Sequence, residues 1–193
     1  MELSERSSAQ DRLLASALRA YEHGRARWAL AVALPLLALP LGSWLLGGHA
    51  ILMCIIGGLL FATATVLLWR GQGWSRGVGL GVAAGLVPMV LAHASGFSGH
   101  VCTGTICMSV CLAVSLTGGI AAGLIITSAV RRLLLSAQAL LAAIGVAFLT
   151  GALGCACIGV SGILGLAGGL GASVAGARLF TGGRGSQATG GKR

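Results

Sequence analysis

The stretch AILMCIIGGLLFATATVLLW, residues 50–69, contains no charged side chain and is followed directly by Arg70. An α-helix of about 20 apolar residues is long enough to cross the hydrocarbon core of a bilayer. Five other apolar stretches accompany it, and the whole chain is 56% hydrophobic but only 9% charged. In soluble domains roughly a quarter of the residues are charged, so this composition excludes a soluble domain. We therefore predict an all-α integral membrane protein.

The apolar stretches divide the chain into three regions. We predict a cytoplasmic amphipathic helix over residues 1–27, a six-helix transmembrane bundle with short connections over 28–180, and a disordered cytoplasmic tail over 181–193, which is rich in glycine and polar residues. The predicted spans are Trp28–Leu46, Ala50–Trp69, Gly77–Ala94, Ser109–Val130, Leu133–Thr150 and Ile158–Phe180.

The positions of lysine and arginine predict the orientation of this bundle, because cytoplasmic connections are enriched in these residues. All 13 of them lie in the N-terminal segment, the second connection, the fourth connection, the end of the sixth span or the tail, and the other connections have none. Both termini are therefore predicted to be cytoplasmic. The excess of arginine, with abundant Ala, Gly and Leu, suggests the inner membrane of a bacterium. Basic residues that anchor helix ends in this way do not indicate a nucleic-acid partner.

Cysteine and histidine collect at the opposite membrane face, in and beside GHVCTGTICMSVC, residues 99–111, and GCAC, residues 154–157. Disulfides form readily in an oxidising outer compartment. Thiolate and imidazole groups also bind soft metal ions such as Zn, Cu or Hg, or react with oxidants. In a third interpretation the cysteines pack as small apolar residues. The candidate metal or redox residues are Cys102, Cys107, Cys111, Cys155, Cys157, His100 and His93.

Apart from Arg178, two residues before the end of the sixth, the predicted spans contain no Asp, Glu, Lys or Arg. Ion-coupled carriers usually hold such residues within the membrane, and the sequence has no nucleophile–base pair or phosphate-binding loop in a credible context. We therefore expect neither an ion-driven transporter nor an enzyme. Hydroxyl groups in the spans are expected to bond back to carbonyl groups of their own helix. Pro35, Pro40 and Pro88 are expected to kink the first and third spans.

Glycine is abundant, with 33 residues, and recurs at helical intervals. Small residues on one stripe let two helix backbones approach closely. The repeats predict tight packing within one bundle, with a broad, slanted groove on the sixth span; a homo-oligomer formed through the glycine-rich helices is the alternative. The glycine repeats are Gly77, Gly81 and Gly85 in the third span, Gly119 and Gly123 in the fourth, and Gly159, Gly162, Gly165, Gly168 and Gly171 in the sixth.

The N-terminal segment predicts an amphipathic helix. Ser8 and Asp11 resemble a capping box, so the helix is expected to begin near Ala9, and Gly24 is a candidate end. Its apolar stripe lies on the inner leaflet or on the bundle, or else docks a cytosolic protein by the helix-in-groove mode. The candidate partner-binding residues are Leu13, Leu14, Leu18 and Tyr21.

The layout resembles that of the NrsF/CarR-type bacterial membrane anti-sigma factors. The resemblance rests on the arm DRLLASALRAYEHGRARW, residues 11–28, on six spans without a large domain, and on the outward cysteines of GHVCTGTICMSVC and GCAC. It implies that the arm sequesters a sigma factor until the outer thiols react with metal or oxidant. The alternatives are a small metal-handling permease and a structural membrane protein stapled by disulfides.

Overall fold

A computed structural model gives the chain as a bundle of α-helices. The described residues, which include no strand, are 2–45, 50–97, 105–155 and 160–185, with side chains described for 14–45, 50–71, 73–94, 112–155 and 161–177. A 3-10 segment, Leu34–Leu37, joins the first two helices. The helices are α1 (Glu2–Ala33), α2 (Ala38–Leu45), α3 (Ala50–Arg70), α4 (Gln72–Phe97), α5 (Thr105–Arg132), α6 (Ala137–Cys155) and α7 (Val160–Gly185).

Five helical segments are long and apolar enough to cross a membrane. In α7, the apolar part with described side chains, Ser161–Ala177, is shorter. Large apolar side chains cover the outside of the bundle, among them Ile51 and Leu164. An apolar surface of this extent marks contact with lipid, so the predicted all-α membrane bundle is confirmed in its class. The five segments are Leu14–Leu45, Ala50–Arg70, Gly73–Ala94, Leu112–Arg132 and Ala137–Cys155.

Helices α4 and α6 pack along a seam of glycines. A Cβ atom added to Gly81 would lie 2.6 Å from the Ala143 carbonyl oxygen, and one added to Gly85 would lie 2.7 Å from the Ala147 carbonyl oxygen. Gly77 meets the same helix one turn earlier. Only glycine permits this approach of two backbones. The residue numbers on the two helices rise together, so α4 and α6 run parallel.

Helices α5 and α7 form a second glycine seam. A Cβ atom on Gly119 would lie 2.6 Å from the Leu166 carbonyl oxygen, and one on Gly169 would lie 3.1 Å from the Gly119 Cα. Gly123 faces Ser173 further along, so these helices are also parallel. The predicted close packing within one bundle is confirmed at both seams, and assembly of a homo-oligomer stays a prediction.

The contacting stripe on α7 differs from the predicted one. Gly165, Gly169 and Ser173, spaced by four, face α5, whereas Gly171 has open space around it and Gly168 is exposed. Residues four apart share a helix face, but a spacing of three drifts around the helix. The seam is therefore a line of small residues in place of the slanted groove expected from the repeat of three.

The arginine-bearing connections lie together at one end of the bundle. Gly71 alone separates α3 from α4; its φ of 111° favours glycine, and a Cβ there would meet the Arg25 side chain of α1. Gly73 meets Gln138 at the start of α6, close in sequence to Arg131 at the end of α5. We call the end that carries Arg25, Gly71 and Arg131 the arginine end.

The opposite end of the bundle carries sulfur and imidazole groups. A Cβ atom on Gly154 of α6 would lie 2.7 Å from the Met89 Cα of α4, and the Ser115 hydroxyl of α5 lies 3.4 Å from the Cys155 Sγ. His93 follows Met89 by one helical turn. We call the end that carries His93, Ser115 and Cys155 the thiol end.

Two helices extend beyond the predicted limits. Helix α1 begins at Glu2 and passes through Gly24 without a break, so the arm and the beginning of the first span, as far as Ala33, form one continuous helix. Helix α7 continues to Gly185, five residues beyond the predicted end of the sixth span; residues 186–193 lie outside the described part, and the disorder of the tail stays a prediction. Glycine costs only about 1 kcal/mol in a helix, which packing and neighbouring residues can outweigh.

The turn between α5 and α6 lies later in the sequence than predicted. The fifth span was expected to begin at Leu133, but Leu134 adopts a φ of 49° and α6 begins at Ala137. The Ser136 hydroxyl accepts a hydrogen bond from the backbone N–H three residues later, at 3.3 Å, and caps this helix. Helix α6 then extends to Cys155, which was predicted to lie in the connection that follows.

The three prolines are accommodated in different ways. Pro35 lies in the 3-10 segment between α1 and α2, where the regular helix is interrupted, as expected for the first span. Pro40 packs against Gly57, where an added Cβ would lie 2.6 Å from its Cβ. Pro88 remains inside α4 and is buried against Gly118 of α5.

One hydroxyl in the α4–α6 seam gives a stability test. Thr150 is fully buried, and its Oγ1 has no hydrogen-bond partner within the described part of the chain. Replacing Thr150 with the isosteric valine should raise the free energy of unfolding by about 1 kcal/mol, because an unsatisfied buried polar atom is removed. Unfolding in mixed micelles, followed by circular dichroism, measures this. Thr65→Val is the control, since the Thr65 hydroxyl donates to the Phe61 carbonyl at 2.8 Å; a loss of stability in Thr150→Val would contradict the expectation.

Candidate functional site

The arm carries an apolar stripe that the bundle does not cover. Leu14, Leu18 and Tyr21 are 59%, 61% and 66% exposed. They lie on one face of α1, as predicted from their spacing. Leu13 is also helical, but its side chain lies outside the described residues. Three of the four predicted partner-binding side chains are therefore accessible on one helix.

Helix α1 joins the bundle only beyond this stripe. Arg25 meets Gly71, and Ala29 and Ala33 are fully buried further along. The polar side chains of the arm bond within the helix: the Arg19 guanidinium donates to the Ala15 carbonyl at 3.3 Å. The stripe thus lies on the same helix as Ala29 and Ala33, in the part of α1 that precedes its contact with the bundle at the arginine end.

At the thiol end, Cys155 occupies a buried position at the last residue of α6. It is 0% exposed, and its Sγ lies 3.4 Å from the Ser115 Oγ, where either atom could be the donor. This contact joins α5 to α6. Because a fully buried thiol is shielded from water-borne reagents, Cys155 is suited to pairing or packing more than to direct capture of a ligand.

His93 lies at the same end, near the end of α4. Its Nδ1 is 2.8 Å from the Met89 carbonyl oxygen, one turn earlier, and therefore carries the proton of that hydrogen bond. Its Nε2 is buried and has no partner among the described residues. A neutral imidazole in this tautomer presents Nε2 as an acceptor or a metal ligand.

The remaining candidate ligands fall outside the described side chains. Cys107 and Cys111 both lie within α5, which begins at Thr105, so they are one turn apart on a helix as the early start of the fourth span requires. Their side chains, and all of His100, Cys102 and Cys157, are outside the described part. Among the side chains that are described, no three His, Cys, Asp or Glu residues come together.

Two features of the thiol end were missed by the sequence analysis. Ser115 was expected to bond back to its own helix, as Thr65, Thr117 and Thr127 do, but it meets Cys155 of another helix. The reason is its position in the α5 packing face, which no local pattern reveals. Cys54 of α3 would be buried if the cysteines packed as small apolar residues, but it is exposed.

Comparison with known proteins gives no match: no family model, curated protein or solved structure is similar to this chain. The resemblance to NrsF/CarR-type anti-sigma factors therefore stays a prediction. It depends on the arm, the apolar helices and the cysteine-bearing connections.

Proposed function

We propose that this protein is a six-span regulator of a bacterial inner membrane. In this proposal both termini are cytoplasmic, the outward Cys/His cluster responds to a soft metal ion or an oxidant, and the response changes what the N-terminal arm binds. The cytosolic partner is a protein such as a sigma factor. The sixth span is α7, whose 26 residues exceed the length that a bilayer requires.

The observation that carries the proposal is the continuity of α1. The exposed stripe of Leu14, Leu18 and Tyr21 and the buried Ala29 and Ala33 belong to one helix, Glu2–Ala33. A shift of this helix within the bundle would move the stripe as a rigid body. A local chemical event can thus bias a packed element with a distant output, which is how many membrane and soluble switches work.

The packing at the thiol end supports the same coupling. Cys155 ends α6 and contacts Ser115 of α5, and Cys111 precedes Ser115 by one helical turn. Metal binding or oxidation that involves Cys111 or Cys155 would act on the ends of α5 and α6 together. Helix α6 also packs against α3, which in turn packs against α1. This is a continuous line of helices from the thiol end to the arm.

A structural protein stapled by disulfides is the second candidate, and the Ser115–Cys155 contact favours it too. That contact brings the beginning of α5, with its two cysteines, beside the end of α6. Peptide mapping before and after reduction discriminates the two: permanent staples would give one fixed disulfide pattern, whereas a sensor would give thiols that change state with metal or oxidant.

The arm gives the direct test of the proposed function. In the full-length protein, Leu14→Asp with Leu18→Asp should abolish capture of a sigma factor from cytosol, with binding weakened roughly 100-fold, because burial of each leucine contributes about 1.5 kcal/mol or more. The matched control is Ser16→Asp with Ala20→Asp, which adds the same charges at the same spacing to the opposite face of α1. Cross-linking and mass spectrometry identify the captured protein.

Three outcomes would contradict this proposal. Equal recovery with both double variants would mean that the stripe lies on the inner leaflet. Equal loss with both would mean that added charge, not the stripe, disturbs binding. Capture of a protein class other than a sigma factor would remove the anti-sigma part and leave a docking arm for that other partner.

A further inference from the structure

Helices α5 and α7 enclose an open groove beside their glycine seam, at the arginine end. Its volume is about 800 Å³. Ile120, Leu124 and Ile125 form the α5 wall, Ala172 and Gly176 form the α7 wall. Along α5 the groove extends from residue 120 to residue 132, which is about 18 Å of helix. One leaflet of a bilayer core is about 15 Å thick, so the groove matches the depth of a single leaflet.

Three hydroxyl groups line the groove, and each already donates its hydrogen to a backbone carbonyl. Thr127 donates to the Gly123 carbonyl at 2.8 Å, Ser128 to the Ile125 carbonyl at 2.9 Å, and Ser173 to a carbonyl of α7 at 2.9 Å. A polar ligand would find few free donors along these walls. An aliphatic chain makes no hydrogen bonds, so it would give none up by lying along these walls.

Among the side chains that the structure describes, the charged ones that line the groove are two arginines at its end. Arg131 donates from Nη2 to the Ala177 carbonyl of α7 at 2.6 Å, which holds its guanidinium across the mouth of the groove, and Arg132 is exposed beside it. A guanidinium has five N–H donors, so others remain. The four acidic residues of the chain all lie within residues 2–22, on α1, which packs against α3. No acidic side chain is among the described residues that line the groove, so none of them neutralises the pair.

We propose that this groove binds one anionic phospholipid of the cytoplasmic leaflet. One acyl chain lies along Ile120 and Leu124, and the phosphate lies at Arg131 and Arg132. Apolar walls of one leaflet's depth that end in two arginines match an anionic lipid in both shape and charge, as in other basic pockets between transmembrane helices. The bound lipid would stabilise the α5–α7 pair.

The test uses the full-length protein in vesicles of equal parts phosphatidylglycerol and phosphatidylcholine, followed by mild detergent extraction and native mass spectrometry of the retained lipid. Wild type should retain one phosphatidylglycerol in preference to phosphatidylcholine. Arg131→Gln with Arg132→Gln should weaken this retention roughly 25-fold, at about 5-fold for each arginine. Arg70→Gln with Arg76→Gln is the matched control, since both arginines are exposed and neither lines the groove.

A second variant tests the chain-binding part. Gly176 lines the groove and has open space where a side chain would extend, so Gly176→Leu should fill the groove and displace the lipid. Gly171→Leu is its control, because Gly171 is equally open but lines a separate groove between α6 and α7. Three results would overturn the proposal. They are loss of lipid in both arginine double variants, loss of lipid in both glycine variants, and equal retention of the two lipids by wild type.

Discussion

Replacing Gly81 with leucine should lower the free energy of unfolding by about 3 kcal/mol, while the same replacement at Gly79 should be close to neutral. A Cβ atom at Gly81 would lie 2.6 Å from the Ala143 carbonyl oxygen and 3.1 Å from the Ala143 Cα. Both are backbone atoms, so relief requires α4 and α6 to separate. Gly79 is two residues away on the same helix and has nothing within 4 Å of an added Cβ.

Substitutions of increasing size at Gly81 and Gly79 test this expectation more strictly. At Gly81 the loss of stability should grow from alanine to valine to leucine, because each added carbon lies deeper in the seam. At Gly79 the series should be flat, or alanine and leucine should stabilise slightly through their better helix propensity. Reversible unfolding in mixed micelles measures both series. Equal slopes at the two positions would show that the seam between α4 and α6 is not packed as described.

The α4 seam could be predicted from sequence because its signal is local. Gly77, Gly81 and Gly85 repeat every four residues, which places them on one face of any α-helix. On α7 a more regular repeat of three was misleading, and the real stripe of Gly165, Gly169 and Ser173 mixes glycine with serine. Which of two overlapping repeats packs depends on the facing helix, and the α7 sequence alone does not contain that information.

Helix ends were harder to predict than helices. Hydropathy continued through Leu133 and Leu134, so the turn there was missed, although Ser136 is a good N-cap residue. Gly24 was taken as an end, yet α1 passes through it. Apolar content alone therefore predicts apolar helices but not their limits: six spans were predicted, and five helical segments in the described part of the chain are long and apolar enough to cross a membrane.

The candidate site was also only partly predictable from the sequence. Placement of Cys155 and His93 at one end followed from the order of the apolar segments. The pairing of Cys155 with Ser115, 40 residues apart in sequence, and the Arg131–Ala177 bond, 46 apart, depend on which helices become neighbours. Such contacts have no local signature. The exposed stripe of the arm, by contrast, was visible as helical spacing within residues 13–21.

A second prediction concerns the orientation of the bundle in the membrane. A cysteine at either end should be labelled from outside the cell either fully or not at all. Leu134 is 91% exposed in the connection beside Arg131 and Arg132, so Leu134→Cys reports on the arginine end. The reporter variant retains Cys155, which is fully buried, and replaces the other cysteines. Wild type has Cys102, Cys107 and Cys157 in or near the connections that are predicted to face outward, so it reports on the thiol end.

Labelling with a membrane-impermeant maleimide after mild reduction tests the central claim most directly. In intact cells wild type should be labelled, because its connections at the thiol end face outward and arginine-bearing connections stay in the cytoplasm. The Leu134→Cys reporter should remain unlabelled until the cells are permeabilised. Labelling of Leu134→Cys in intact cells, with wild type protected, would reverse the orientation and contradict both the outward thiol sensor and the cytosolic arm.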